Sequence, residues 1–67
     1  MSYEMIRSNF LKKLWTVQMV KISRNKGLLK PEQFNQIMYD GAEAGIITVD
    51  QYQQETGEVY VSLKALF

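Results

Sequence analysis

The chain of 67 residues contains no cysteine and no histidine, and these absences exclude much protein chemistry. Without cysteine it can form no disulfide bond and offers no thiolate. Without histidine it has no imidazole to serve as a base or metal ligand near neutral pH. A domain of about 60 residues buries only about 60% of its unfolded surface, so its own core stabilises it weakly. We therefore expect stability to come from oligomerisation or from a larger partner.

Long apolar runs are also missing. A membrane-spanning helix needs about 20 apolar residues, and none of the chain's apolar runs reaches that length. The stretch from Met1 to Arg24 lacks the charged, apolar and small-residue order of a signal peptide. We expect no membrane association, and a location in the cytoplasm or in a particle assembled there.

Catalytic candidates are restricted to carboxylates, tyrosines and lysines. Glu55 and Glu58 are close enough in sequence to form a carboxylate pair, but acids near helix ends are commonly solvated caps. So small a domain offers no deep pocket that would shift a pKa, and the sequence contains no glycine-rich phosphate loop. The segment from Asp40 to Glu43 has too few ligands for a calcium loop. We predict no catalytic activity, no cofactor and no metal site.

The most organised stretch of the chain is GIITVDQYQQETGEVY, which contains the signals for starting and stopping a helix. Thr48 is a suitable N-cap, and Gln51 three residues later can complete a capping box. Ile47 and Tyr52 occupy the positions of a hydrophobic staple across the same helix start. Gly57 follows where the chain must adopt a left-handed conformation to leave the helix. The stretch predicts a short helix from about Thr48 to Thr56.

An earlier stretch, GLLKPEQFNQ, repeats the first ten positions of this pattern. Leu29 and Phe34 form the corresponding staple. Lys30 is a poor cap, but Pro31 suits the first helical position because its φ is already helical and its missing N–H would be unpaired there anyway. The sequence therefore predicts a turn-helix unit used twice within residues 27–57.

Residues 1–26 carry apolar positions at helical spacing and predict one long helix that ends at Gly27. The predicted fold is a single small all-α domain over residues 1–67. It consists of this long N-terminal helix, two short helices that start near Pro31 and Thr48, and an extended or strand-like arm over residues 58–67.

The predicted N-terminal helix has more apolar surface than two short helices can cover. One interpretation is a central helix enclosed by the rest of the domain. The other is that the side bearing Trp15 contacts another protein. A lone strand is unstable in water, so the arm must lie on the helices or pair with another chain. The predicted contact residues are Trp15, Met19, Ile22, Tyr60, Val61, Leu63 and Phe67.

Charge is distributed unevenly along the chain. Residues 1–30 have a net charge of +6 and residues 31–67 a net charge of −5. The two halves can neutralise each other within one copy, or favour head-to-tail contact between copies. The basic residues are spread around the predicted N-terminal helix and the overall charge is only +1, which disfavours nucleic-acid binding.

The chain from about Phe10 to Tyr60 resembles the XkdX family, small proteins of phages and defective prophages, and the resemblance is strongest in the last third. The resemblance depends on a series of residues in fixed order: a glycine, then isoleucine and threonine, then glutamine and tyrosine, and finally threonine and glycine followed by a tyrosine. Upstream, the GLLKPEQF segment is similar to the family's preceding helix start. Glu55 departs from the apolar residue usual in the family. The matching residues are Gly45, Ile47, Thr48, Gln51, Tyr52, Thr56, Gly57, Glu58 and Tyr60.

The XkdX resemblance implies a phage product from the tail and baseplate neighbourhood with no established catalytic activity. It leads us to expect a small virion or assembly protein that binds a larger tail, baseplate or fibre protein, or its own copies. Its location would be the host cytoplasm or the phage particle. A weaker likeness to short C-terminal helical oligomerisation modules also implies interaction. The alternative is a cytoplasmic phage regulator or inhibitor that binds a host protein or nucleic acid through its basic N-terminal helix.

Overall fold

The computed structural model describes residues 2–61, which form four helices and no strand. The all-helical class is confirmed for this part of the chain. Leu63 and Phe67, predicted as contact residues, lie outside the described residues. The helices are α1 (Tyr3–Leu11), α2 (Val17–Asn25), α3 (Pro31–Glu43) and α4 (Val49–Thr56).

The predicted long N-terminal helix is wrong, because the chain turns between α1 and α2. Lys13 adopts a left-handed conformation with φ of 64°. The N–H of Leu14 then donates to the carbonyl oxygen of Asn9 at 2.9 Å, which closes the end of α1. The side chain of Thr16 accepts from the N–H of Met19 at 3.3 Å and caps the start of α2. The helical spacing of apolar residues continues across this turn, and for that reason the sequence pattern predicted one helix.

The turns after α2 and α3 have the same backbone design as the turn after α1. Gly27 and Gly45 occupy the left-handed position that Lys13 occupies in the first turn. In each turn the next N–H donates to a carbonyl in the last turn of the preceding helix, at 3.0 Å for Leu28 and 2.8 Å for Ile46. The turn-helix unit therefore occurs three times in residues 2–61, where the sequence pattern indicated two.

Helix α3 is the longest of these helices, at 13 residues, and packs against the other three. It continues through Gly41, where an added Cβ would lie 2.5 Å from Cε2 of Phe10. The missing side chain thus lets the end of α1 lie directly on α3. The buried apolar core comprises Ile6, Phe10, Val20, Leu29, Phe34, Ile37, Met38, Ile47 and Tyr52.

Helix α4 begins with a complete capping box. The Thr48 side chain accepts from the N–H of Gln51 at 3.0 Å, and the Gln51 side chain accepts from the N–H of Thr48 at 3.2 Å. The helix ends at Gly57, which has φ of 72°. Residues 58–61 belong to neither a helix nor a strand, so the strand-like alternative for the arm is wrong for these residues.

Candidate protein-contact surface

The outward side of α2 and the turn that follows it expose a group of large apolar side chains. Met19 is 40% exposed, Ile22 44% and Leu28 45%. Trp15 is half-buried and packs against the core beside them. We call Trp15, Met19, Ile22, Lys26 and Leu28 the contact face.

The register of α2 explains why these side chains face outward. Val20 is fully buried, and Ser23 one turn later is also buried. The Ser23 hydroxyl donates to the carbonyl oxygen of Met19 at 3.2 Å, so its polar group is satisfied within the helix. With Val20 and Ser23 on the inner side, Met19 and Ile22 lie on the outer side of α2, where they are partly exposed.

The contact face surrounds a shallow groove of about 310 Å³. Its lining is mainly apolar, with Lys26 as its charged member and Ser23 in the lining as well. A basic rim beside an apolar floor is suited to a partner that supplies apolar side chains and a carboxylate.

The first residues of the arm are held to the domain by an aromatic cluster. The ring of Tyr60 stacks on Tyr39 at 5.4 Å and meets Tyr52 edge-on at 5.7 Å. The N–H of Tyr60 donates to the side-chain oxygen of Gln53 at 3.2 Å. The hydroxyl oxygen of Tyr39 lies 2.7 Å from the carbonyl oxygen of Val61. Tyr60 therefore anchors the arm to α3 and α4.

A second groove, which we call the acidic groove, lies between α3 and the start of the arm. Its volume is about 400 Å³. Exposed carboxylates are contributed by Glu32 and Glu58, and an apolar edge by Val61, which is 53% exposed. The remaining lining residues are Asn35, Gln36, Tyr39 and Tyr52.

Ion pairs join the basic N-terminal half to the acidic C-terminal half. Nε of Arg7 donates to a carboxylate oxygen of Asp40 at 2.6 Å, which raises the pKa of Arg7 above its ordinary value although partial burial opposes the shift. Nζ of Lys21 lies 3.2 Å from a carboxylate oxygen of Glu55. The guanidinium of Arg24 lies 4.2 Å from the ring centre of Phe34. These contacts engage three of the seven basic residues in the first 30 positions.

The structure brings Trp15, Met19 and Ile22 together, but it separates them from Tyr60 and Val61. Tyr60 packs into the aromatic cluster, whereas Val61 borders the acidic groove. Sequence reasoning missed Leu28, which joins the contact face because the turn after α2 folds back beside it. Thr16 is a cap residue followed four positions later by an apolar residue, as the caps of the later helix starts are, and this was the signal that α2 begins there.

Other chemistry is sparse in the part of the chain that the structure describes. Residues 2–61 contain no group of three or more acidic side chains arranged to hold a metal ion. None of their helices combines the length and apolar character needed to span a bilayer. The contact face and the acidic groove are candidate interaction surfaces of these residues.

Comparisons of this chain with protein-family models, curated proteins and solved structures find no significant match. The XkdX resemblance stays a prediction based on the residues quoted above.

Proposed function

We propose that this chain is a small structural or assembly protein of a phage or prophage tail, baseplate or fibre module that acts through protein–protein contacts. The observation that carries the interaction is the contact face, where Met19, Ile22 and Leu28 are each 40% to 45% exposed beside Trp15. Large apolar side chains clustered on a small domain mark interaction sites. The XkdX resemblance supports the phage context.

Burial of the contact face would contribute a useful binding free energy. Full burial of a large apolar side chain is worth about 1.5–3 kcal/mol, so side chains already half-covered contribute roughly 1 kcal/mol each. Trp15 adds an aromatic ring of the kind that dominates interface energetics. Together these groups suit an anchoring contact with a larger protein, whose stability the small domain would share.

Substitution on the contact face tests the proposal. Ile22→Glu places a charge on an exposed position of α2, and we expect it to remove the chain from purified tail particles, measured by quantitative mass spectrometry. Val49→Glu is the matched control, because Val49 is 45% exposed and lies on α4 outside the contact face. Circular dichroism must show equal helical content for both variants. Normal incorporation of the Ile22→Glu variant would show that the contact face is not used.

Trp15→Glu is the stronger but less specific variant. The side chain of Trp15 is half-buried and precedes the Thr16 cap, so this change also weakens the start of α2. We expect loss of association with helical content retained. If this variant unfolds, the Ile22→Glu variant alone decides whether the contact face is used.

The second candidate function is a cytoplasmic phage regulator or inhibitor that binds a host protein or nucleic acid. Exposed lysines favour it, namely Lys12, Lys13, Lys26 and Lys30. They lie in two separate turns at opposite ends of α2, and not along one continuous helix face. A DNA affinity that falls steeply with rising salt would support this candidate, whereas flat or absent binding would count against it.

A further inference from the structure

The contact face and the acidic groove are complementary in charge and share no residue. Lys26 is exposed at the edge of the contact face, and Glu32 and Glu58 are exposed in the acidic groove. None of the three forms an ion pair within residues 2–61. Each surface therefore carries charge that the domain itself does not neutralise.

The apolar parts of the two surfaces also match. The contact face presents Met19, Ile22 and Leu28 at 40% to 45% exposure. In the lining of the acidic groove, Val61 is 53% exposed. The contact face combines an apolar patch with a lysine, and the acidic groove combines an apolar edge with carboxylates. Complementary charges of this kind fix the register of two proteins at an interface.

We propose that the partner of the contact face is the acidic groove of a second copy of this chain, in a head-to-tail contact. This inference rests on the proposed function, because it names the occupant of the same contact face. Two contact faces meeting each other would bring lysine against lysine, whereas the head-to-tail contact pairs Lys26 with the carboxylates of Glu32 and Glu58.

A head-to-tail contact has a consequence for assembly size. Each copy that uses its contact face still has an acidic groove for the next copy. The contact therefore propagates into a ring or a filament. A two-fold dimer would instead stop at two copies. Growth beyond a dimer is the property that separates the two arrangements.

Charge reversal tests the pairing in the full chain. We expect sedimentation velocity of the wild type to show species larger than a dimer that increase with concentration and shrink between about 0.05 M and 0.5 M NaCl. Lys26→Glu and Glu58→Lys should each weaken association by about tenfold or more, because each puts like charges together. An equimolar mixture of the two variants, and the double variant K26E/E58K, should recover association because opposite charges meet again.

Lys12→Glu is the matched control for Lys26→Glu. Both lysines are exposed, both follow the last residue of a helix, and both changes alter the net charge equally, but Lys12 lies outside the groove of the contact face. We expect Lys12→Glu to associate like the wild type. Recovery by the double variant also excludes misfolding as the cause of the single-variant losses.

Three results would overturn the inference. They are a wild type that remains monomeric at millimolar concentration, an assembly that stops at a dimer, and a failure of the mixture to recover association. The proposed function has a separate readout, since particle incorporation of the Ile22→Glu variant is measured without reference to self-association. A monomeric protein that still requires Ile22 for incorporation would refute head-to-tail assembly alone.

Discussion

The α1–α2 turn and the α3–α4 turn follow the same backbone path with different residues at the left-handed position. Lys13 adopts φ of 64° in the first, and Gly45 adopts φ of 76° in the second. A left-handed conformation costs a residue with a side chain about 1–2 kcal/mol, whereas glycine adopts it freely. A helix can therefore stop without glycine, as α1 does where the N–H of Leu14 donates to the carbonyl oxygen of Asn9 and Thr16 caps the next helix.

The same two turns lie close together, which explains why both are fixed. Phe10, Lys13 and Trp15 from the first turn region line one groove with Ile46 and Ile47 from the second. Phe10 is 1% exposed and packs over Gly41 in the last part of α3. The position of one turn therefore depends on the other through this contact.

The largest effect on the free energy of unfolding is expected where Phe10 of α1 packs against Gly41 of α3. In Gly41→Ala the new Cβ would lie 2.5 Å from Cε2 of Phe10, a distance that forces the ring or the helix to shift. Overpacking of this kind costs about 1–3 kcal/mol, more than the helix propensity that alanine gains. Chemical denaturation should show that loss.

A double-mutant cycle with Phe10→Leu isolates the contact. The smaller side chain removes the ring atom that meets the new Cβ, so the cost of Gly41→Ala should fall in that background. An unchanged cost would mean that the ring is not the obstacle, and that α1 and α3 are separated by more than the structure shows.

The second prediction exchanges the left-handed residues. Gly45→Lys should lower the free energy of unfolding by about 1 kcal/mol, because a Cβ at that position meets no atom within 4 Å and only the backbone conformation is affected. Lys13→Gly should raise it by about 0.5 kcal/mol, since relief of strain is partly offset by the greater freedom of glycine in the unfolded chain.

Ala44→Lys is the control for the added charge. Ala44 is exposed and adjacent to Gly45, but its φ is −83°, a value that lysine adopts without strain. We expect a change within about 0.5 kcal/mol. Equal losses for Gly45→Lys and Ala44→Lys would show that charge, and not backbone conformation, distinguishes the two turns.

The same comparison shows what could be predicted from the sequence. Glycine followed by two aliphatic residues and a cap identifies the turns at Gly27 and Gly45, because both local conformation and staple residues agree there. Lysine does not predict a left-handed conformation, and the helical spacing of apolar residues continues past Lys13. The turn between α1 and α2 was therefore missed. The local signal for this break was the Thr16 cap, whereas the packing of Phe10 against Gly41 joins residues far apart in sequence and follows from no local pattern.

The candidate site was predictable in part for the same reason. Trp15, Met19 and Ile22 lie within one short stretch, so helical spacing alone places them near one another. The contact face also includes Lys26 and Leu28, and the acidic groove brings Glu32 of α3 close to Glu58 of the arm. Neither arrangement can be predicted until the turns between the helices are known. Tyr60 was predicted as a contact residue of the arm, and its stacking on Tyr39 was missed because Tyr39 lies in α3, distant in sequence.

The smallest expected effects compare the caps that follow the two turns. The Thr48 side chain accepts from the N–H of Gln51 at 3.0 Å and Gln51 returns a bond, whereas the Thr16 side chain accepts from the N–H of Met19 at 3.3 Å. Methionine cannot return such a bond. We expect Thr48→Ala to cost about 1 kcal/mol and Thr16→Ala about 0.5 kcal/mol.

Serine replacements at the two caps should leave stability nearly unchanged, because the accepting hydroxyl is retained. Chemical denaturation of the alanine and serine variants measures the difference between the turns directly. If Thr16→Ala costs more than Thr48→Ala, the turn that contains strained Lys13 depends more heavily on its cap. Helix initiation, and not helix termination, would then be what separates α1 from α2.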